Sequence, residues 1–341
     1  MGFDWIVDDP DDTEGAGYYP SLAFDNNNQA VIAYLHDEGD RLLIAQEVGR
    51  SWDIFETDVM NGARPGFYPA IVADSNGDFH VAHYFLAEEK IAYMEGDGNI
   101  WTDISTVAQN ITIRNMSRAL TMAIDPNDHL YLAFLDTGDH TVYLASQSYR
   151  SWSPRGVGWG DSSSGSIALA VDENNQYLAF YSGDGLQYIR IRNGTTDQER
   201  MIDSGRLIGI SPSMAVDGNG NLAIAYYAGN KIKLAINNNG NWTTHLIGDA
   251  TPMTGDTRRT TSVAFGPDGM IHLCYFDASN RGRLMYAMVN LSGNVVMLQE
   301  VDYGGVGLLN SLAIDHQGMP AIAYLDQLGE HLRFAHVDSR R

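Results

Sequence analysis

Apolar and polar positions alternate along this chain in short runs, and the runs return in the same order seven times. The segment PSLAFDNNNQAVIAYL from Pro20 comes back as PAIVADSNGDFHVAHYF from Pro69, RALTMAIDPNDHLYLAFL from Arg118 and SIALAVDENNQYLAFY from Ser166. It comes back again as PSMAVDGNGNLAIAYY from Pro212, SVAFGPDGMIHLCYF from Ser262 and SLAIDHQGMPAIAYL from Ser311. Aligned on one small residue, the repeats have anchors at Ala33, Ala82, Ala133, Ala179, Ala225, Cys274 and Ala323, so the period stays between 46 and 51 residues. A steady period of this size marks a repeat architecture.

Each repeat predicts four short strands. A first run such as SLAFD meets an Asp/Asn/Gly turn, and such a turn between apolar runs favours a hairpin because its central residues need positive φ. A second strand (AVIAYL), a polar loop, a third strand (LLIAQ, KIAYM, IKLAI) and a second turn lead to a fourth strand. That strand opens on Trp at Trp52, Trp101, Trp152 and Trp242, and lacks it near Thr196 and Val295. Four antiparallel strands per unit with no helical periodicity describe a β-propeller blade, so the fold expected is an all-β, seven-bladed propeller.

The two chain ends complete one another. The last repeat stops after its third strand, LRFAHVD, while the N-terminal DWIVDD has the Trp and alternation of a fourth strand with no strands before it. Pairing of Trp5 to Asp8 with Leu332 to Val337 closes the ring and leaves no long sheet edge. One domain over 1–341 is expected, with Asp4 to Asp9 as the fourth strand of blade 7 and blades starting near 20, 69, 118, 166, 212, 261 and 310.

Charge narrows the partners. With 21 basic and 43 acidic side chains the net charge is −22, which repels nucleic acid and anionic membranes, so neither is expected as a partner. No run of 18 apolar residues and no signal-like start occurs. The chain is either intracellular or mature after signal removal, and an extracellular or periplasmic monomer is expected. A single cysteine, Cys274, excludes internal disulfides and takes a small-residue position. The turns DNNN, DSNGD and DENN lack a calcium ligand ladder, and no His/Cys spacing fits zinc, so no metal or cofactor is expected.

Candidate chemistry comes from departures from the repeat. Three lysines leave 18 of the basic residues as arginines, and Arg64, Arg114, Arg118, Arg206, Arg258 and Arg259 lie in the connections between blades. Those connections share one face with the central channel mouth, where gathered guanidinium groups suit a carboxylate or sulfate. Alternatively each arginine pairs with an acid such as Asp136, Asp256, Asp277 or Asp326. Tyr19, Trp159 and Tyr303 could present flat faces to a sugar ring. His83 takes a slot that is aromatic in the other six repeats. It is either a packed core histidine or a general base that, with Tyr68 and the arginines, would serve β-elimination from a uronic acid.

The repeat P-S-x-A-x-D-x-N-G-x-x-x-I-A-Y, followed by L-x-Y-A and G-x-W, resembles repeats of bacterial secreted or surface β-propellers over the whole chain. EGDGNIW (Glu95 to Trp101) also resembles the Asp-box of sialidases, although Asp97 is one place too close to Trp101 and no Ser precedes it. The resemblance implies the fold more than an activity. Three functions remain open: a binding propeller for an anionic glycan or other carboxylated ligand, a lyase or glycoside hydrolase of acidic polysaccharide, and a protein-interaction scaffold.

Overall fold

A computed structural model describes residues 2–37, 41–57, 66–98, 100–113, 119–163, 166–251 and 260–337. The described strands form seven four-stranded antiparallel sheets, and the first strands of successive sheets lie side by side around a ring. Six sheets are built from consecutive strands. The seventh joins Val306–Ile314, Pro320–Asp326 and His331–Val337 to the N-terminal strand Trp5–Asp11. Trp5 pairs with Val337, Val7 with Ala335 and Asp8 with Phe334, so the seam closes in the expected register.

Burial falls from the inside outward. Second strands such as Ala30–His36 and Ile271–Asp277 are buried throughout, whereas fourth strands such as Ser51–Glu56 expose every second residue or more. The expected small anchors are completely buried, Cys274 included. Across from them on the first strands stand Ser21, Ala70, Thr121, Ala168, Ser213, Ser262 and Ser311. Small side chains are needed there because seven strands converge on the axis. The hydroxyls also stitch neighbours together: Ser21 accepts from the Ile71 amide at 3.1 Å, and Ser311 accepts from Leu22 at 3.1 Å.

The Asp-rich turns are bound by their own side chains. Asp25 Oδ1 accepts the Asn27 and Gln29 amides at 2.9 and 2.7 Å, and Asp74, Asp217 and Asp315 repeat the arrangement. These are Asx turns, with the carboxylate spent on the backbone. On the opposite face, Gly17 (φ +87°) passes so close to the preceding blade that a Cβ would fall 2.7 Å from Leu332 Cα. Only glycine fits that approach at that φ.

Four of the tryptophans that open fourth strands meet a ring of the preceding blade, whereas Trp101 stacks on Phe79 of its own sheet at 6.3 Å. Trp152 meets Tyr93 of the preceding blade at 5.3 Å, Trp242 meets Tyr188 at 5.0 Å, Trp5 meets Tyr286 at 5.2 Å and Trp52 meets Phe334 at 5.1 Å, all edge to face. This is the favoured geometry for paired rings.

Candidate functional site at the channel face

Because strands alternate in direction, the blade-to-blade connections and the loops between second and third strands share one face. The channel opens there into a cavity of about 190 Å³ lined by all seven first strands. Tyr19 and Tyr68 sit in its wall with rings 4.7 Å apart, edge to face. Both precede a proline and both have φ of +54°. A bulky residue in the left-handed region is uncommon and costs on the order of 1–3 kcal/mol, so the surrounding structure must hold it. The wall next to Tyr19 is tied by Asn310, whose Nδ2 donates to the Thr260 and Gly307 carbonyls at 3.0 and 2.9 Å, and whose Oδ1 accepts from Cys274 Sγ at 3.2 Å.

Of the six arginines singled out, Arg206 lies among the described residues; Arg64, Arg114, Arg118, Arg258 and Arg259 lie outside them. Arg206 is exposed and has no ion pair among the described residues. Four other cations at this end of the blades do have one. Arg41 pairs with Glu56, Lys231 with Asp249, Arg283 with Asp277 at 2.5 Å and Arg333 with Asp302 at 2.9 Å. Asp277 and Asp326 are therefore taken by Arg283 and Arg333, while Asp136 accepts the Thr112 and Gly138 amides. Burial pushes the Asp277 carboxyl up, but donors from Ser279, Arg283 and Thr251 outweigh it and hold it below the usual carboxylate range. The sequence reading passed over Arg281, which is also exposed on this face and unpaired among the described residues, at φ +73°. Nothing in the repeat marks it, because the loop between second and third strands varies in every blade.

The aromatic candidates separate. Trp159 ends a fourth strand, is 55% exposed and stacks on His140 at 5.4 Å; Tyr303 ends another and is 71% exposed. Both stand at the rim, whereas Tyr19 and Tyr68 are within the cavity.

His83 does not line that cavity. It is 4% exposed and packs on Phe85 at 4.7 Å, with Nδ1 unpartnered among the described residues. Burial, helped by the Lys90 ammonium, pulls its pKa down to about 3. The structure thus brings Tyr68 to the channel and leaves His83 in the interior of its blade. In three other blades the same slot holds a tyrosine bonded to a carboxylate of the preceding blade. These pairs are Tyr34 with Asp11 at 2.5 Å, Tyr226 with Asp203 at 2.8 Å and Tyr324 with Asp302 at 2.7 Å. Burial first, and then the carboxylates, push these phenols well above their ordinary range.

Comparisons with known proteins give fold without family. No family model and no curated protein matches the chain. Solved structures do. A protein of unknown function from Dyadobacter fermentans has a TM-score of 0.54 at 11% identity, covering 98% of each chain. The Aleuria aurantia lectin, in complex with alpha-methyl-L-fucoside, has 0.55 at 15%, covering 80% of this chain and 92% of its own. A Hadza microbial sialidase has 0.54 at 11%, covering 95% of this chain and 66% of its own. At such identities the likeness establishes the propeller fold alone. Among the described residues no helix is long and apolar enough to cross a membrane, and no cluster of His, Cys, Asp and Glu is suited to a metal.

Proposed function

We propose that this chain is a carbohydrate-binding propeller that takes a carboxylate-bearing glycan at its channel face. The observation that carries the reading is Arg206: an exposed guanidinium with no carboxylate partner among the described residues, on a protein of net charge −22. An unpaired guanidinium amid excess acid offers a bidentate site to an incoming carboxylate. Tyr19 and Tyr68 in the cavity, and Trp159 and Tyr303 at the rim, supply aromatic faces of the kind that stack on sugar C–H surfaces. Arg64, Arg114, Arg118, Arg258 and Arg259 enter the proposal through their place in the sequence. The likeness to a fucoside-bound lectin and to a sialidase fits a sugar-related role. The lyase alternative needs a base at the mouth, and a deeply buried His83 with a pKa near 3 is poorly suited to that task.

A glycan array carrying sialylated, uronate, sulfated and neutral glycans, run beside an assay for unsaturated product, tests this. Acidic glycans should bind without turnover, and Arg206→Ala should weaken them by about tenfold, the scale of one charge-assisted bidentate contact. Equal binding by Arg206→Ala, or an array with no acidic hit, overturns the proposal; appearance of unsaturated product would restore the lyase.

A further inference from the structure

The interface between blades 3 and 4 lacks the aromatic wedge that closes its neighbours. Ladder register places Trp52, Trp101, Trp152, Trp242 and Trp5 at one position of the fourth strand, and places Thr196 there in blade 4. On the preceding blade the receiving place holds a ring at Tyr93, Tyr188, Tyr286 and Phe334 and Ile44 behind Trp101; in blade 3 it holds Leu144. Both halves of the wedge are thus missing at this junction, as they are between blades 5 and 6. Leu144 packs into an apolar cluster with Ile189 and Ile191 of blade 4, and a groove of about 570 Å³ opens above it. At the junction of blades 5 and 6, where Leu234 and Val295 stand at the same two positions, His245 lies against Gly293 instead.

The groove is lined with both donors and acceptors. Asp125 is 4% exposed and spends Oδ1 on the Asn127 and His129 amides and Oδ2 on His129 Nδ1 at 2.9 Å, so it fixes the imidazole. The His129 side chain is itself 63% exposed. Arg155 reaches across to donate to the Gly194 carbonyl, while Glu173 and Asn174 of blade 4 stand exposed along the groove. The next acid along the strand, Asp197, is turned away onto Arg190 by two bonds of 2.8 and 2.9 Å.

We infer that this groove is a second carbohydrate site, for a neutral hexose or deoxyhexose residue, separate from the channel face. A guanidinium, a carboxylate, an amide and an imidazole beside the ring of Tyr131 match a sugar with both C–H and hydroxyl surfaces. The buried Asp125 and the Glu173 carboxylate disfavour an anion. The inference stands independently of the proposed channel-face site.

Saturation-transfer NMR with the methyl glycosides of L-fucose, D-galactose, D-mannose and glucuronic acid tests it, on protein made in a non-glycosylating bacterial host, because Asn193 in the groove wall begins an Asn-Gly-Thr acceptor sequence. At least one neutral glycoside should bind. Thr196→Trp, which puts the missing indole back over Leu144, should weaken it at least tenfold, and Arg206→Ala should leave it unchanged. Arg155→Ala and Glu173→Ala should each weaken the same glycoside, and they decide the matter if Thr196→Trp does not fold. The inference is overturned if no neutral glycoside binds, if only the glucuronide does, or if folded groove variants bind as the parent does.

Discussion

The bond between Tyr34 and Asp11 ties blade 1 to the N-terminal strand that completes blade 7, and its removal should be felt by the whole ring. Tyr34 is completely buried and Asp11 is 7% exposed. Asp11 Oδ1 already accepts the Thr13 amide at 3.1 Å and the Thr13 hydroxyl at 2.6 Å, whereas the bond recorded for Oδ2 is that from Tyr34 at 2.5 Å. Tyr34→Phe therefore leaves one oxygen of a buried carboxylate unsatisfied, at a cost of about 1.5–3 kcal/mol. Against a total stability of about 5–15 kcal/mol this is a large fraction. Asp11→Ala strands the tyrosine hydroxyl and the Thr13 donors and should cost a similar amount. The double variant recreates an apolar pairing that the molecule already contains, in which the slot is Phe134 and the corresponding residue of the preceding blade is Ala108. It should be more stable than the sum of the single changes implies, with a coupling of about 1–3 kcal/mol by urea denaturation. A coupling below about 0.5 kcal/mol would refute the reasoning, because the two side chains would then be acting separately.

Deletion of residues 1–9 should remove most of the fourth strand of blade 7 and cost several kcal/mol; a melting temperature within a degree or two of the parent would sink the shared blade. Tyr34, Tyr226 and Tyr324 have phenol pKa values raised by folding, so their contribution is fully present below pH 10 and is lost as pH rises beyond it. The unfolding free energy from urea denaturation should fall by up to about 1.4 kcal/mol per pH unit for each such group, and a flat alkaline limb would contradict this. His83 has the opposite sign: its folded pKa is lowered to about 3, so its contribution is present above pH 6.5 and is lost as pH falls towards 3. His83→Phe should flatten that acid limb and leave ligand affinity unchanged; a loss of turnover on the order of 10²-fold would instead return His83 to catalysis.

What could be read from the sequence was what repeats within a blade. Strand order, Asx turns, small anchors and the seam all follow from period-two alternation and turn chemistry, and Trp5 meets Val337 as its place in the pattern requires. Contacts between blades were less visible because they join positions that belong to different repeats. The Trp column was legible as a column, but its direction was not: Trp152 reaches back to Tyr93 rather than packing within blade 3. The channel face was legible as a location and not as a set of contacts. Its loops follow no period, so Arg281 carried no signal, while Arg206 was found from its place in a connection.

The aromatic slot nonetheless holds a readable rule once two columns are compared. Each tyrosine that bonds a carboxylate lies 22 or 23 residues after it, as in Tyr34 and Asp11, Tyr226 and Asp203, and Tyr324 and Asp302. Where the slot is Phe134 or Phe180 the earlier residue is Ala108 or Gly158, and a Cβ on Gly158 would fall 3.0 Å from the Phe180 ring. A hydroxyl without an acceptor, or a carboxylate without a donor, would cost about 1–3 kcal/mol once buried, so the two positions change together in these five blades, while blade 6 keeps Tyr275 opposite Gly248. The same logic reads the groove between blades 3 and 4. Losing Trp at Thr196 while keeping an aromatic receiver would leave an open apolar surface, whereas losing both and lining the space with Arg155, Glu173 and His129 leaves one that water or a hydroxylated ligand can fill. Paired departures from a repeat therefore separate a junction that has been rebuilt from one that has only been damaged.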